Sequence, residues 1–279
     1  MIPVELILLA LSPVFIGFIA WEWYRSHQAA NGIYRWQDSL ANAVLALLHQ
    51  GSDMLALLLL MPFFLWLHQF RLFEIDLTAA TVALAFLLQD FLYYWFHRAS
   101  HHIRWLWASH VAHHSSRQMN FSTALRQSLT YPLSGMWLFW TPMILLGFTP
   151  ALVFAVVALN LAFQFFVHTQ AVKRLGWLEW LFNTPSHHRV HHACNAIYID
   201  KNFAGVLVIW DRLFGTFVAE RADEPCRYGI TEDFNSDNPL TITFYEWRKM
   251  LSDALKLSSV RQLPAVLFGA PKKAGNDDN

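Results

Sequence analysis

LTAATVALAFLLQDFLYYWFHRASH, residues 77–101, joins two patterns that settle how this chain is built. Residues 77–96 are mostly apolar and reach the length of about 20 residues that carries a helix across a hydrocarbon core. At the end of that run His97 and His101 stand four residues apart, on one helical face. Tyr94 and Asp90 continue the same stripe backwards into the span. The pattern predicts a transmembrane helix that presents imidazoles at its mouth.

Four further stretches read as membrane segments: residues 6–21, 41–67, 129–148 and 151–167. The second is polar in its middle (His49, Gln50, Gly51, Ser52, Asp53) and reads as an interfacial helix followed by a span starting near Met54. Gly147-Phe148-Thr149-Pro150 breaks the last two into a hairpin. A short polar link, residues 71–76, makes another from the second and third. Arg25 and Arg35 follow the first span. Arg98, Arg104, Arg117 and Arg126 follow the third, and Lys173, Arg174, Arg189 and Lys201 follow the fifth. By the positive-inside rule the histidine-bearing loops then face the cytoplasm. The expected fold is all-α, a multi-pass transmembrane bundle of 4–5 spans, the lower count with a re-entrant hairpin, under a cytoplasmic helical cap. Three units are expected: N-terminal membrane helices (1–76), a catalytic domain with the histidines (77–217), and a cytoplasmic C-terminal segment (218–279). Within the last, residues 241–255 read as an amphipathic helix and the polar residues 272–279 as a disordered tail.

Composition agrees. Of 279 residues, 55% are hydrophobic and only 14% charged, against about 25% charged in soluble domains. The N-terminal run lacks a basic n-region and a small-residue cleavage site, so it reads as a retained helix. With zero net charge, nothing in the composition points to a polyanionic partner such as nucleic acid. Two cysteines, Cys194 and Cys226, make neither a disulfide framework nor a thiolate cage.

Histidine supplies the metal chemistry. Eleven of the fourteen lie between His97 and His192. After the first pair come His110-Val-Ala-His113-His114 and His188-Arg-Val-His191-His192. On a helix each HxxHH is expected to throw three imidazoles toward one point, giving eight nitrogen donors with His97 and His101. Eight exceed the four of a structural zinc or the three of a catalytic one. Imidazole suits Fe, Zn, Cu or Ni alike. No Glu occurs between Glu74 and Glu179, which excludes the Glu-x-x-His pattern of soluble di-iron bundles. Asn160, Gln164 and His168 form an i, i+4, i+8 stripe on the fifth span. His168 is a candidate ninth ligand, while Asp90, Asn160 and Gln164 are candidates for orienting ligands from behind. The bland alternative for these polar groups is hydrogen bonding between helices. His102 and His187 adjoin the boxes but point off their faces; His27, His49 and His68 read as solvated surface groups. Asn120, Ser122 and Thr123 suit a helix cap or a substrate contact, Arg126 an anchor before the fourth span, and Asp211 and Arg212 structural ion pairs. Residues 200–202, Asp-Lys-Asn, suit loop structure as well as catalysis.

The three boxes, in this order and spacing, resemble the membrane fatty acid hydroxylase and sterol desaturase superfamily over residues 84–217. His113-His114-Ser115-Ser116, residues 120–128, residues 183–192, Asp200-Lys201-Asn202 and residues 210–217 look most like its alkylglycerol monooxygenase branch. The resemblance implies a di-iron, dioxygen-dependent lipid monooxygenase. Its metal ligands would be His97, His101, His110, His113, His114, His188, His191 and His192. Its electrons would come from tetrahydrobiopterin or an external electron-transfer partner. In that branch the attacked carbon adjoins an ether oxygen. His102 departs from the acidic residue that human-type members carry after the first box. Desaturation of a lipid or sterol is the alternative reaction. Metal transport or storage is the competing class, and would place ligands along several spans rather than at one face.

Overall fold

Long apolar runs leave the backbone no partner but itself, and the N-terminal third of the chain is accordingly three long helices. They are α1 (Val4–Ala29), α2 (Trp36–His68) and α3 (Ala79–His102). The computed structural model describes residues 4–271, so the tail expected at 272–279 lies outside the described residues. Among the described residues every regular element is helical; the β-pairing is confined to isolated bridges. α2 and α3 are long and apolar enough to cross a membrane. Leu47, Leu55, Leu58 and Leu59 on α2 are exposed, a run of large apolar side chains facing outward along one helix.

The expected break within α2 is absent. Its polar residues are satisfied sideways: His49 Nδ1 lies 3.1 Å from the Ser128 carbonyl and the Ser52 hydroxyl donates to the Leu129 carbonyl at 2.6 Å. His68 likewise contacts the Gly147 carbonyl, so neither His49 nor His68 is the solvated group expected.

The predicted span at 129–148 is not one helix. It folds as α5 (Tyr131–Ser134), a 3-10 turn (Met136–Trp140) and α6 (Thr141–Leu146), followed by α7 (Pro150–Phe165). Pro132 and Pro142 restart the helix and Gly135, at φ +78°, breaks it between them. Gly147 is required at the next turn. Its φ is +125°, and a Cβ there would lie 2.2 Å from the Phe73 carbonyl oxygen. Phe64, Phe96, Trp140, Met143, Phe148 and Val153 close the core between α2, α3, α6 and α7.

The rest is short: α8 (Pro185–His191), α9 (Ile209–Leu213), α10 (Pro239–Leu255) and α11 (Leu263–Phe268). α10 is the amphipathic helix expected there. It packs on α4 (Arg104–His114), which follows α3 after the single extended residue Ile103. The buried Arg104 guanidinium bonds Glu246 and Asp253 of α10, each at 2.7 Å.

Candidate metal centre

α3 ends in His97 and His101, α4 ends in His110, His113 and His114, α8 carries His188 and His191 with His192 at its cap, and His168 follows α7. All nine are buried. Their ligand atoms form two groups, each within 4.8 Å: His97, His101, His110, His114 and His191; and His113, His168, His188 and His192. The groups share a wall, where the His114 and His192 rings stack with centroids 4.5 Å apart.

The expectation that each HxxHH converges on one point is corrected here. His110 and His114 enter the first group while His113 enters the second; His188 and His192 enter the second while His191 enters the first. At about 100° per residue, positions i and i+4 differ by about 40°, whereas i+3 and i+4 differ by a full 100°. Adjacent histidines must therefore serve different centres.

Donor chemistry fits metal ions in both groups. His97 Nε2 and His114 Nε2 each lie 3.1 Å from His110 Nε2. In the other group His168 Nε2 is 2.9 Å from His188 and 3.1 Å from His113, and His188 is 3.1 Å from His192. Two ligands at right angles on bonds of about 2.1 Å are about 3.0 Å apart, whereas tetrahedral neighbours are about 3.4 Å apart. His191 Nε2 is buried with no hydrogen-bond partner among the described residues, an arrangement that a cation resolves. Burial first, then neighbouring imidazoles, holds His110, His113, His114, His188, His191 and His192 well below the usual histidine range. Neutral rings keep their lone pairs for a metal.

The far nitrogens are fixed from behind. His97 Nδ1 faces the Phe203 carbonyl at 2.8 Å, His191 the Lys201 carbonyl at 3.0 Å, His113 the Arg126 carbonyl at 3.1 Å and His168 the Gln164 carbonyl at 2.7 Å. A carbonyl accepts, so these Nδ1 atoms carry the proton and Nε2 is the donor atom toward the group. His110 Nδ1 meets the Tyr131 hydroxyl at 2.6 Å and His101 Nδ1 meets Asp200 at 3.3 Å.

Of the three polar residues expected behind the ligands, Gln164 reaches His168 through its backbone, and its side chain joins Tyr93 and Asn160. Asp90 and Asn160 bond each other rather than a histidine. Asp90 also accepts from the Val206 and Leu207 amides and from the Trp210 indole, pinning the segment after the third box. His102 is exposed on the Arg98 carbonyl and His187 packs edge-on against Phe217; neither joins a group. Asn120 caps the 3-10 turn Phe121–Leu125. Among the described residues Asp211 makes no ion pair; it accepts from the Phe203 and Ala204 amides and the Thr216 hydroxyl, while Arg212 lies over Phe217 and Trp180. Sequence reasoning missed Tyr131 and Asp38. Asp38 forms a buried pair with Arg126 at 3.3 Å, tying α2 to the second box.

A narrow opening of about 40 Å³, lined in part by His101, Trp107, His114, His191 and Asp200, reaches the first group and touches the second at His192. That is room for water-sized molecules, not for an acyl chain.

Residues 82–216 match the family model described as fatty acid hydroxylase. The human alkylglycerol monooxygenase is 47% identical over 65% of this chain and 40% of its own. The Danio rerio alkylglycerol monooxygenase is 42% identical over 94% of this chain and 60% of its own. An ornithine lipid hydroxylase of Rhizobium tropici is 34% identical over 55% of this chain and 46% of its own. The chain thus spans 60% or less of the length of these relatives. No solved structure matches.

Proposed function

Residues 82–216 make this chain a member of the fatty acid hydroxylase superfamily, and from that premise we propose that it is a membrane-bound, dioxygen-dependent lipid monooxygenase with two iron ions. The observation that carries the reading is the pair of buried imidazole groups sharing one wall. The ligands are His97, His101, His110, His114 and His191 for one ion, and His113, His168, His188 and His192 for the other. Bound there, iron would supply dioxygen activation and the oxidising power to break a C–H bond.

The protein's own part is to hold and shield. Carbonyls of Phe203, Lys201, Arg126 and Gln164 keep the protons on Nδ1, and burial keeps bulk water away. The substrate is a lipid whose apolar chain enters from the bilayer beside α3, residues 131–146 and α7, since the opening to the other side admits only small molecules. An alkylglycerol-type ether lipid is the first substrate to test, after the names of the relatives. One atom of dioxygen becomes a hydroxyl on the carbon beside the ether oxygen. The other leaves as water, using two electrons and two protons from tetrahydrobiopterin or an external electron-transfer partner. The hemiacetal then collapses to an aldehyde and a glycerol derivative.

In the bilayer we place four or five crossings, α2 and α3 among them, with the histidine groups on the cytoplasmic face under a helical cap. Residues 1–76 anchor, 77–217 catalyse, and 218–279 cover the second box through α10.

The test is His113→Ala in the full chain. Turnover should fall to background and bound iron should drop from two ions toward one while the protein stays in the membrane fraction. Surviving turnover would refute the assignment. Product mass separates hydroxylation, a gain of one oxygen, from desaturation, a loss of two hydrogens.

A further inference from the structure

Between the third box and α9 the chain takes two conformations that residues with side chains rarely adopt. Asp200 has φ +58° and Asn202 φ +57°, on either side of Lys201. Asn and Asp tolerate the left-handed region better than other side chains, but two within three residues persist only where surrounding bonds hold them. Those bonds are present. The Asn202 amide donates to the Val218 and His187 carbonyls at 2.7 and 3.1 Å, and its oxygen accepts from the Val218 amide at 2.8 Å. Asp211 accepts from the Phe203 and Ala204 amides at 2.7 and 2.9 Å.

The strained turn delivers three oxygens in a row. Asp200 Oδ1 meets His101 Nδ1, the Lys201 carbonyl meets His191 Nδ1, and the Phe203 carbonyl meets His97 Nδ1. All three rings belong to the five-histidine group. In the four-histidine group, His113 and His168 rest instead on the Arg126 and Gln164 carbonyls, on other parts of the chain.

We propose that residues 200–203 are a positioning strap dedicated to the five-histidine group, aiming three of its rings from a segment that supports none of the rings of the other group. Asp200 and Asn202 are positioning residues: they act through the rings and the backbone, with Asn202 locking the turn that aims the Lys201 and Phe203 carbonyls. The inference rests on the two-ion reading above.

The experiment loads the purified full chain anaerobically with ferrous iron alone and measures bound iron per chain and affinity by competition. Wild type should bind two ions. Asn202→Gly keeps the backbone conformation available to the turn but removes its clamp, and Asp200→Gly removes only the carboxylate. Each should leave one ion at wild-type affinity and weaken the other about 10–100-fold, the usual loss when a ligand's outer partner is removed. Asp200→Asn, which retains an acceptor oxygen and tolerates the turn, should restore the weakened ion. His168→Ala strips a donor from the other group, so combining it with Asn202→Gly should weaken both ions. Equal weakening of both ions by Asn202→Gly alone, or unchanged binding in both glycine variants, overturns the strap. Fewer than two ions on wild type overturns the two-ion reading instead.

Discussion

 Replacing Asp38 by alanine removes the carboxylate that faces the Arg126 guanidinium at 3.3 Å, in a site where the two side chains are 5% and 1% exposed. Asp38 also accepts from the Ser116 hydroxyl and the Asn42 amide. Without it, Arg126 keeps only neutral partners, namely the Asn42 side-chain oxygen, the Ala112 carbonyl and the Ser115 hydroxyl. Breaking a buried pair by removing one member costs about 3–5 kcal/mol, because the remaining charge stays buried. Three neutral acceptors soften the loss, which puts the expectation near 3 kcal/mol. At about 2–4 °C per kcal/mol this lowers the thermal midpoint by about 6–12 °C. The assay is thermal unfolding of the purified protein in detergent for Asp38→Ala, Arg126→Met and the double variant. The double variant should be more stable than the sum of the single losses predicts, by 2 kcal/mol or so. A loss below about 1 kcal/mol in Asp38→Ala, or single losses that simply add, would refute the reasoning.

Gly205→Ala should cost about 1–3 kcal/mol by overpacking, since its Cβ would lie 2.6 Å from Asn160 Oδ1 and 2.8 Å from the Tyr93 ring; denaturant titration measures it. Burial, with the Glu220 carboxylate beside it, pushes the Cys226 thiol up to about 12. Alkylation at pH 8 should therefore run about a thousandfold slower at Cys226 than at an ordinary thiol, accelerating only as pH climbs toward 12. The folded chain holds that proton more tightly than the unfolded one, so this group's contribution to stability is full below about pH 8.5 and is lost as pH rises above it. Stripping metal with a chelator should lower the thermal midpoint of wild type, and adding ferrous iron should restore it, because ions that bind only the folded form stabilise it. An unchanged midpoint would count against metal in either group.

Much of the centre is written in local spacing. The i, i+4 pairs His110/His114 and His188/His192, and the stripe from Asn160 to His168, are legible because a helix repeats every few residues whatever surrounds it. The division of each box between two groups follows from the same repeat but needs a second centre to be in view. The broken segment at 129–148 carried its own signals in Pro132, Gly135 and Pro142, which average hydropathy hides. Long-range partners left no local trace. Arg126 reads as an anchor until Asp38, 88 positions away, is found against it. Asp90 shares a stripe with His97, yet its bonds go to a segment more than a hundred residues later.

The interleaving of the two HxxHH turns has a mechanical result. Because each turn lends donors to both centres, rotating either helix to tighten one cage would loosen the other. Spacing between the ions is then gauged by the rigid repeat of two short helices, and a substrate pressing on either one would shift both ions together.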